Sequence, residues 1–95
     1  MTPEQRTIIR ENEPALVADI IPTDILSWFL CLTDDDKDLI TADERNSGPT
    51  KAARTLLNRL QRRPNSFGQL VRALRENCLN HLAELLDPDN EVHKA

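Results

Sequence analysis

The chain has few of the residues on which catalysis and metal binding depend. It contains only two histidines and two glycines, and it has no tyrosine. No glycine-rich phosphate loop and no G-x-S-x-G motif is present, and neither His81 nor His93 has partners at the spacing of a zinc site. These absences predict a protein that is not an enzyme and that needs no metal or cofactor.

Cysteine is also scarce, and this bears on the compartment. Two cysteines, Cys31 and Cys78, are too few for the disulfide framework of a small secreted domain. Both lie among apolar residues, so we expect free thiols that pack as small hydrophobic groups. The longest apolar run, 25–32, is interrupted by Ser27 and is too short to span a membrane. The sequence therefore predicts a cytoplasmic protein without membrane insertion.

Aromatic residues are few, which restricts the kind of core that the chain can build. One tryptophan and two phenylalanines stand among 39% hydrophobic residues, most of them aliphatic. With 95 residues there is room for one domain with one core. We place this domain at 1–88 and expect a polar, disordered tail over 89–95.

Apolar residues recur at helical spacing in six segments, and no stretch alternates long enough for a strand. The first segment, 3–20, contains Pro14 and should be kinked or split near Asn12 and Glu13. The second covers 23–32. A short third helix should follow Thr33 as its N-cap, with only Leu39, Ile40 and Ala42 turned inward, and a loop should cover 45–50.

The last three segments have the clearest apolar stripes and decide the fold class. We expect the first of them at about 49–62, the second after Ser66 as its cap with its stripe from Phe67 to Leu74, and the third at about 79–86. Six short helices with apolar faces predict an all-α, antiparallel six-helix bundle. The stripes are Ala53, Leu56, Leu57 and Leu60, then Phe67, Leu70, Val71 and Leu74, and then Leu79, Leu82, Ala83 and Leu86.

Charge is strongly segregated along the chain although the net charge is only −4. Residues 33–44 contain six acids and one base, whereas residues 45–75 contain eight bases and no acid. At 100° per residue, Lys51, Arg54, Asn58 and Arg62 lie opposite the leucine stripe of the fourth helix. An ordinary solvated helix face is one interpretation. Complementary patches on different surfaces of one domain also favour head-to-tail association.

These features resemble the caspase recruitment domains of the death-fold superfamily, over residues 6–87. The segments LTDDDKDLI and KAARTLLNRLQRRPNSFGQLVRALRENCLNHLAELL resemble the third to sixth helices of such domains. Within them, LLNRLQRRPNSFGQLVRALR is most similar to the domains of RIG-I-like antiviral helicases and of the mitochondrial antiviral signalling adaptor. An interrupted first helix, acidic second and third helices and a basic fourth helix are also that family's pattern.

The resemblance implies homotypic association with other caspase recruitment domains, self-association, and assembly of signalling complexes or filaments in innate immunity or apoptosis. Carried over by position, it implies a basic face and an acidic face that bind each other. The basic face comprises Arg6, Arg10, Lys51, Arg54 and Arg62. The acidic face comprises Asp24, Asp34, Asp35, Asp38 and Asp43. Trp28 is expected to be partly buried.

Two other interpretations stay open at this point. The bases of 45–75 suggest a nucleic-acid-binding domain, but the pI near 5.1 and the absence of interleaved aromatics argue against it. Another death-fold branch, a pyrin or death-effector domain, has a similar helical pattern. The expected break at Pro14 favours the recruitment domain over the pyrin domain.

Overall fold

The computed structural model describes residues 1–88, and the predicted tail over 89–95 lies outside the described residues. Residues 1–88 contain seven α-helices and one short 3₁₀-helix, and no strand. The fold is therefore all-α, as predicted. The helices are α1 (Pro3–Glu11), α2 (Glu13–Asp19), α3 (Pro22–Ile25), α4 (Asp34–Ser47), α5 (Pro49–Gln61), α6 (Ser66–Glu76) and α7 (Asn80–Leu86), and the 3₁₀-helix is Leu26–Trp28.

The structure has seven helices where the sequence predicted six, because two helices replace the first predicted segment. They meet at Asn12, whose backbone φ of −106° is not helical. Pro14 lacks an N–H and therefore tolerates only the first turn of a helix, where that donor would have no partner. The Asn12 side chain donates a hydrogen bond of 2.9 Å to the Ile8 carbonyl and closes the end of α1.

The second predicted segment is shorter and less regular than expected. α3 has four residues and continues as the 3₁₀-helix, after which Phe29 leaves helical geometry with φ −100° and ψ 89°. Because the helical phase is lost there, Leu30 does not join the core as its spacing suggested and is 86% exposed. Phe29 is fully buried, whereas Trp28 is 39% exposed and counts among the exposed hydrophobic residues, so the expectation that it is partly buried was wrong.

The third predicted helix was expected to be short, with a loop over 45–50, and this was wrong. α4 has 14 residues and begins at a capping box in which Thr33 and Asp36 bond each other's backbone N–H. Of its apolar residues only Ile40 is fully buried, while Leu39 and Ala42 are exposed. The expectation of a short helix therefore gave too much weight to apolar contacts, since α4 is long although it buries few apolar side chains.

Polar contacts to its neighbours hold α4 instead. Glu44 accepts hydrogen bonds from the backbone N–H and the hydroxyl of Thr23 in α3, at 3.1 and 2.6 Å. Asp43 accepts one of 2.7 Å from the Thr55 hydroxyl in α5. The only residue between α4 and α5 is Gly48, whose φ of +94° would strain any residue with a side chain.

α5 lies at the centre of the bundle and packs against α2, α3, α4 and α6. Its predicted stripe is fully buried, together with Ala52. The predicted apolar residues of α6 are buried as well, and so are those of α7 except Leu79, which is half-buried and precedes the helix. Ser66 is the first residue of α6 rather than its cap, and its buried hydroxyl donates to the Leu60 and Arg63 carbonyls.

Both cysteines are free thiols, but only one of them packs as the sequence suggested. Cys31 is half-buried beside the core, and burial raises the pKa of its thiol above the ordinary value. Cys78 is exposed, because the chain turns after α6 and holds this residue at a φ of +63°. The expectation that Cys78 is buried was wrong.

The buried stripe of α5 should dominate stability. We expect Leu57→Ala and Leu60→Ala each to lower the free energy of unfolding by about 2–5 kcal/mol, since each side chain is fully buried and its removal leaves a cavity in the core. Leu39→Ala, at an exposed site of α4, is the matched control and should cost less than about 1 kcal/mol. Urea denaturation followed by circular dichroism measures all three, and equal losses would contradict the packing described.

Candidate interaction surfaces

The solvent side of α5 carries the largest part of the predicted basic face. Lys51, Arg54 and Arg62 are all exposed, as their helical spacing predicts, and so is Asn58. The Arg54 side chain is 63% exposed, and its Nε lies 3.8 Å from Glu13 Oε1, a long contact between exposed groups. An ion pair of this kind contributes little to stability, so Arg54 can leave it at small cost.

Contacts of the residues that flank α1 place it beside α5. Before α1, the Met1 amine donates a hydrogen bond of 2.8 Å to the carbonyl of Arg63, just beyond α5. After α1, Glu13, the first residue of α2, lies 3.8 Å from Arg54 of α5. The chain from Met1 to Glu13 therefore runs antiparallel to α5, and the predicted face combines residues of α1 and α5. Arg10 is exposed, whereas Arg6 is only half exposed.

Two further bases of the 45–75 segment are turned away from this face. Arg59 Nη1 and Arg63 Nη2 lie 3.6 and 2.7 Å from the carboxylate of Asp36, which is only 5% exposed. This cluster ties the start of α4 to the end of α5. Counting charges along the sequence did not reveal it, because the partners lie more than twenty residues apart.

The five acids predicted for one face do not form a single patch. Asp34, Asp35 and Asp38 are exposed at the N-terminal end of α4. Asp24 is exposed on α3 and follows Thr23, whose hydroxyl donates a hydrogen bond to Glu44. Glu44 lies near the C-terminal end of α4, about 15 Å along the helix from Asp34 at 1.5 Å per residue. Asp24 is therefore close to the opposite end of α4 from the other three acids. Asp43 is half-buried and accepts a hydrogen bond from Thr55, so it is less accessible than the other four acids.

Asp19, which the sequence analysis did not single out, adds an acidic group at the far side of α3. Its Oδ2 lies 2.9 Å from Nε2 of His81 in α7, and both side chains are about half exposed. The two residues are far apart in the sequence, so no local pattern signals their contact. Only the packing of α7 near the end of α2 brings them together.

The electrostatics of the Asp36 cluster follow from its geometry. Burial acts to raise the pKa of Asp36, but hydrogen bonds from Thr33 and Arg63 and the positive charge of Arg63 act in the opposite direction. Together they hold the pKa of this carboxyl below its ordinary value of 3.8. The carboxylate is therefore ionised at neutral pH. Its Oδ2 accepts hydrogen bonds from Thr33 and Arg63, and its Oδ1 lies in an ion pair with Arg59 at 3.6 Å.

The described part of the chain holds no cluster of histidine, cysteine and acidic side chains able to bind a metal ion. Among residues 1–88, no helix combines the length and the apolar character that crossing a membrane requires.

Removing the Asp36 charge should loosen α4. Asp36→Asn keeps an oxygen that can accept from the Thr33 N–H but loses both arginine ion pairs, so we expect a loss of about 1–3 kcal/mol at neutral pH. Asp38→Asn, at an exposed position of the same helix, is the control and should change stability by less than about 0.5 kcal/mol. Urea denaturation of both variants and of the parent gives these differences.

The pH dependence of the Asp36 difference has a definite sign. Because the folded-state pKa of Asp36 is lowered, its charge stabilises the fold fully above the ordinary carboxyl pKa. That stabilisation is lost as the pH falls from there through the lower folded-state value. The gap between the parent and Asp36→Asn should therefore be constant near neutrality and shrink below about pH 4. A gap that widened on acidification would contradict the assignment.

The surfaces described above lie on a chain that matches a known family model. The model of the caspase recruitment domain matches residues 1–90, which include all seven helices. A search of curated proteins and a search of solved structures each found no significant match. Because the model covers nearly the whole chain, the family is shown. The chain belongs to the caspase recruitment domain family.

Proposed function

We propose that this protein is a non-enzymatic, cytoplasmic interaction module that associates with itself and with related caspase recruitment domains to assemble signalling complexes. The observation that carries the proposal is the exposure of Lys51 and Arg54 on α5, of Arg62 directly after it, and of Asp34, Asp35 and Asp38 on α4. The two sets lie on different helices of one rigid bundle. A basic surface on one copy can therefore bind an acidic surface on the next without using up either copy's second surface.

Such a contact is heterologous, and this has a consequence for assembly. When two different surfaces of identical molecules bind each other, the first and the last copy of the assembly each keep one unoccupied surface. A further copy can therefore bind at either end. The product is a ring if the rotation closes and an open helical filament if it does not. Filament or complex assembly therefore follows from the placement of the charges, without any further site.

We assign the pathway to innate immune or apoptotic signalling on narrower grounds. The support is the resemblance of residues 56–75 to the domains of the antiviral helicases and of the mitochondrial antiviral adaptor. The charged residues that carry it include Arg59 and Arg63, which hold Asp36. Part of this resemblance thus lies in residues that maintain the bundle, which makes it weaker support for one pathway than for the family.

The structure gives less support to nucleic-acid binding than the sequence alone does. Of the eight bases between 45 and 75, Arg59 and Arg63 are engaged by a buried carboxylate and add little to an outer field. The exposed acids of α4 lie on the neighbouring helix. A gel shift with short duplex RNA at low salt tests this alternative, and we expect no shift.

Charge reversal should test the basic face and the acidic face independently. Arg54→Glu with Arg62→Glu should abolish self-association and leave the melting temperature nearly unchanged, because both side chains are exposed. Asp34→Lys with Asp35→Lys and Asp38→Lys should abolish self-association from the other face, with a lower melting temperature because Asp34 and Asp35 lie in the first turn of α4, where acids favour the helix dipole. Arg45→Glu with Arg72→Glu makes the same charge change at exposed positions outside the basic face and is the control. Sedimentation velocity measures the size of each species.

Mixing the two face variants gives a sharper result. Each variant keeps one intact face, so an equimolar mixture should form one parental contact and stop at dimers. This dimer should weaken as salt rises from about 0.1 to 1 M, since the screening length falls from about 10 to 3 Å. Long assemblies from either variant alone would contradict the charged-face mechanism.

A further inference from the structure

Lysine is rare in this chain, and only one lysine is exposed in the described part of it. The sequence contains three lysines, Lys37, Lys51 and Lys94, among twelve basic residues. Lys94 lies outside the described residues, and Lys37 is half-buried in α4. Lys51, in the first turn of α5, is therefore the one fully accessible lysine amine within residues 1–88.

Lys51 belongs to a face whose other members are arginines. They are Arg6, Arg10, Arg54 and Arg62. A guanidinium keeps its charge in proteins, whereas the amine of lysine is a nucleophile that loses its charge when it is acylated. Lys51 is thus the one side chain of the basic face whose charge can be removed by acylation.

The Lys51 amine is not held by the rest of the domain. Within residues 1–88 it forms no ion pair, whereas the neighbouring Arg54 has its long contact with Glu13. The contact printed by the backbone is a hydrogen bond of 3.2 Å that the Lys51 carbonyl accepts from the Thr55 hydroxyl, and it does not involve the amine. The side chain can therefore enter the active site of an acyltransferase without breaking an ion pair.

The place of Lys51 in its helix is also electrostatically unfavourable. α5 begins without a side-chain cap and has no acidic residue in its first turn. The N–H groups without partners give this end of a helix a partial positive charge, so a nearby cation is destabilising. α1 and α4, in contrast, each begin with a threonine cap and at least one acid. Loss of the Lys51 charge should therefore stabilise α5 while it weakens the basic face.

We propose that Lys51 is a site of acylation by a small acyl thioester such as acetyl coenzyme A, and that this modification weakens association through the basic face. In the reaction the Nζ lone pair attacks the thioester carbonyl carbon and an amide bond forms. The bond between that carbon and sulfur breaks, the thiol leaves, and Nζ gives up a proton. The effect on association rests on the proposed self-association, whereas the reactivity of the amine does not.

The reactivity of the amine is measured on the parent chain with acetyl coenzyme A as the acyl donor. Mass spectrometry of peptides gives the acetylated fraction of each lysine as a function of time. We expect Lys51 to react several-fold faster than Lys37, because Lys51 is exposed and Lys37 is half-buried. Equal or slower reaction at Lys51 would overturn its assignment as the acylation site.

Two substitutions then measure the effect of the charge. Lys51→Gln removes the charge as acetylation does, and Lys51→Arg keeps it, while all three residues have similar helix propensities. Each substitution is added to the charge-reversal variant of the acidic face, which keeps the basic face. Isothermal titration calorimetry against Arg54→Glu/Arg62→Glu gives the Kd of each dimer. Circular dichroism gives the melting temperature of each substitution in the parent chain.

The expected result is a gain in stability together with a loss in affinity. Lys51→Gln should raise the melting temperature by about 2–5 °C, since it removes a cation from the positive end of α5. It should weaken the dimer about three- to fivefold, as the loss of one exposed charge contact does. Lys51→Arg should retain most of the affinity and show no such rise in melting temperature. A role in packing alone would lower the melting temperature instead.

Arg45→Gln is the matched control. It removes the same charge from an exposed position outside the basic face, in the last turn of α4. A cation there interacts favourably with the helix dipole, so the melting temperature should fall slightly while the Kd stays within about twofold of the parental value.

The outcomes separate the two proposals. If the two face variants form no dimer, the proposed self-association is wrong, and so is the control of it by Lys51. If they form a dimer whose Kd is unchanged by Lys51→Gln, self-association stands and the acylation proposal is wrong. A melting temperature that falls in Lys51→Gln would also contradict the proposal, because it would show that the ammonium stabilises the domain.

Discussion

Burial of one face of α5 is the constraint on which the rest of this structure depends. Four other helices pack on that face, and its apolar side chains are completely removed from solvent. A helix with a fully buried stripe has its opposite face in solvent, because the two are separated by half a turn. The same periodicity that builds the core therefore presents Lys51, Arg54 and Arg62 outward on a support that cannot rotate. The core and the proposed basic face are thus two sides of one helix.

α4 obeys a different rule, and its polar contacts explain how an acidic helix remains attached. It has one fully buried apolar residue besides the buried carboxylate of Asp36, which Arg59 and Arg63 neutralise. A buried ion pair often adds little net stability over an apolar replacement, but loss of one partner is costly. The cluster thus defines the position of α4 more than it strengthens it. Asp34 and Asp35 in its first turn interact favourably with the helix dipole while they remain exposed to solvent.

The two kinds of charge have different uses in the molecule. Arg59, Arg63 and Asp36 are partly or wholly withdrawn from solvent and join helices within one copy. The exposed charges are different. Within residues 1–88, Arg54 has only a long contact with Glu13, and Arg62, Asp34, Asp35 and Asp38 have no ion-pair partner at short range. These side chains can therefore interact with a second molecule without breaking strong contacts within the first. Exposed pairs contribute up to about 1 kcal/mol each, and a stable contact therefore needs several of them or an apolar contribution.

Much of the fold was predictable from the sequence because helical periodicity and proline are local signals. The stripes of α5, α6 and α7, the break before Pro14 and the outward position of Arg54 all follow from residues within one or two turns of each other. The sequence by itself therefore determined the helical class, the core of the last three helices and the exposed bases of α5. Only the tertiary structure decided that α4 is long, that Arg59 and Arg63 face Asp36, that Asp43 bonds Thr55, and that Asp19 contacts His81. Each of these depends on contacts between residues distant in the chain, and no local pattern carries information about which distant partners the packing of a core brings together.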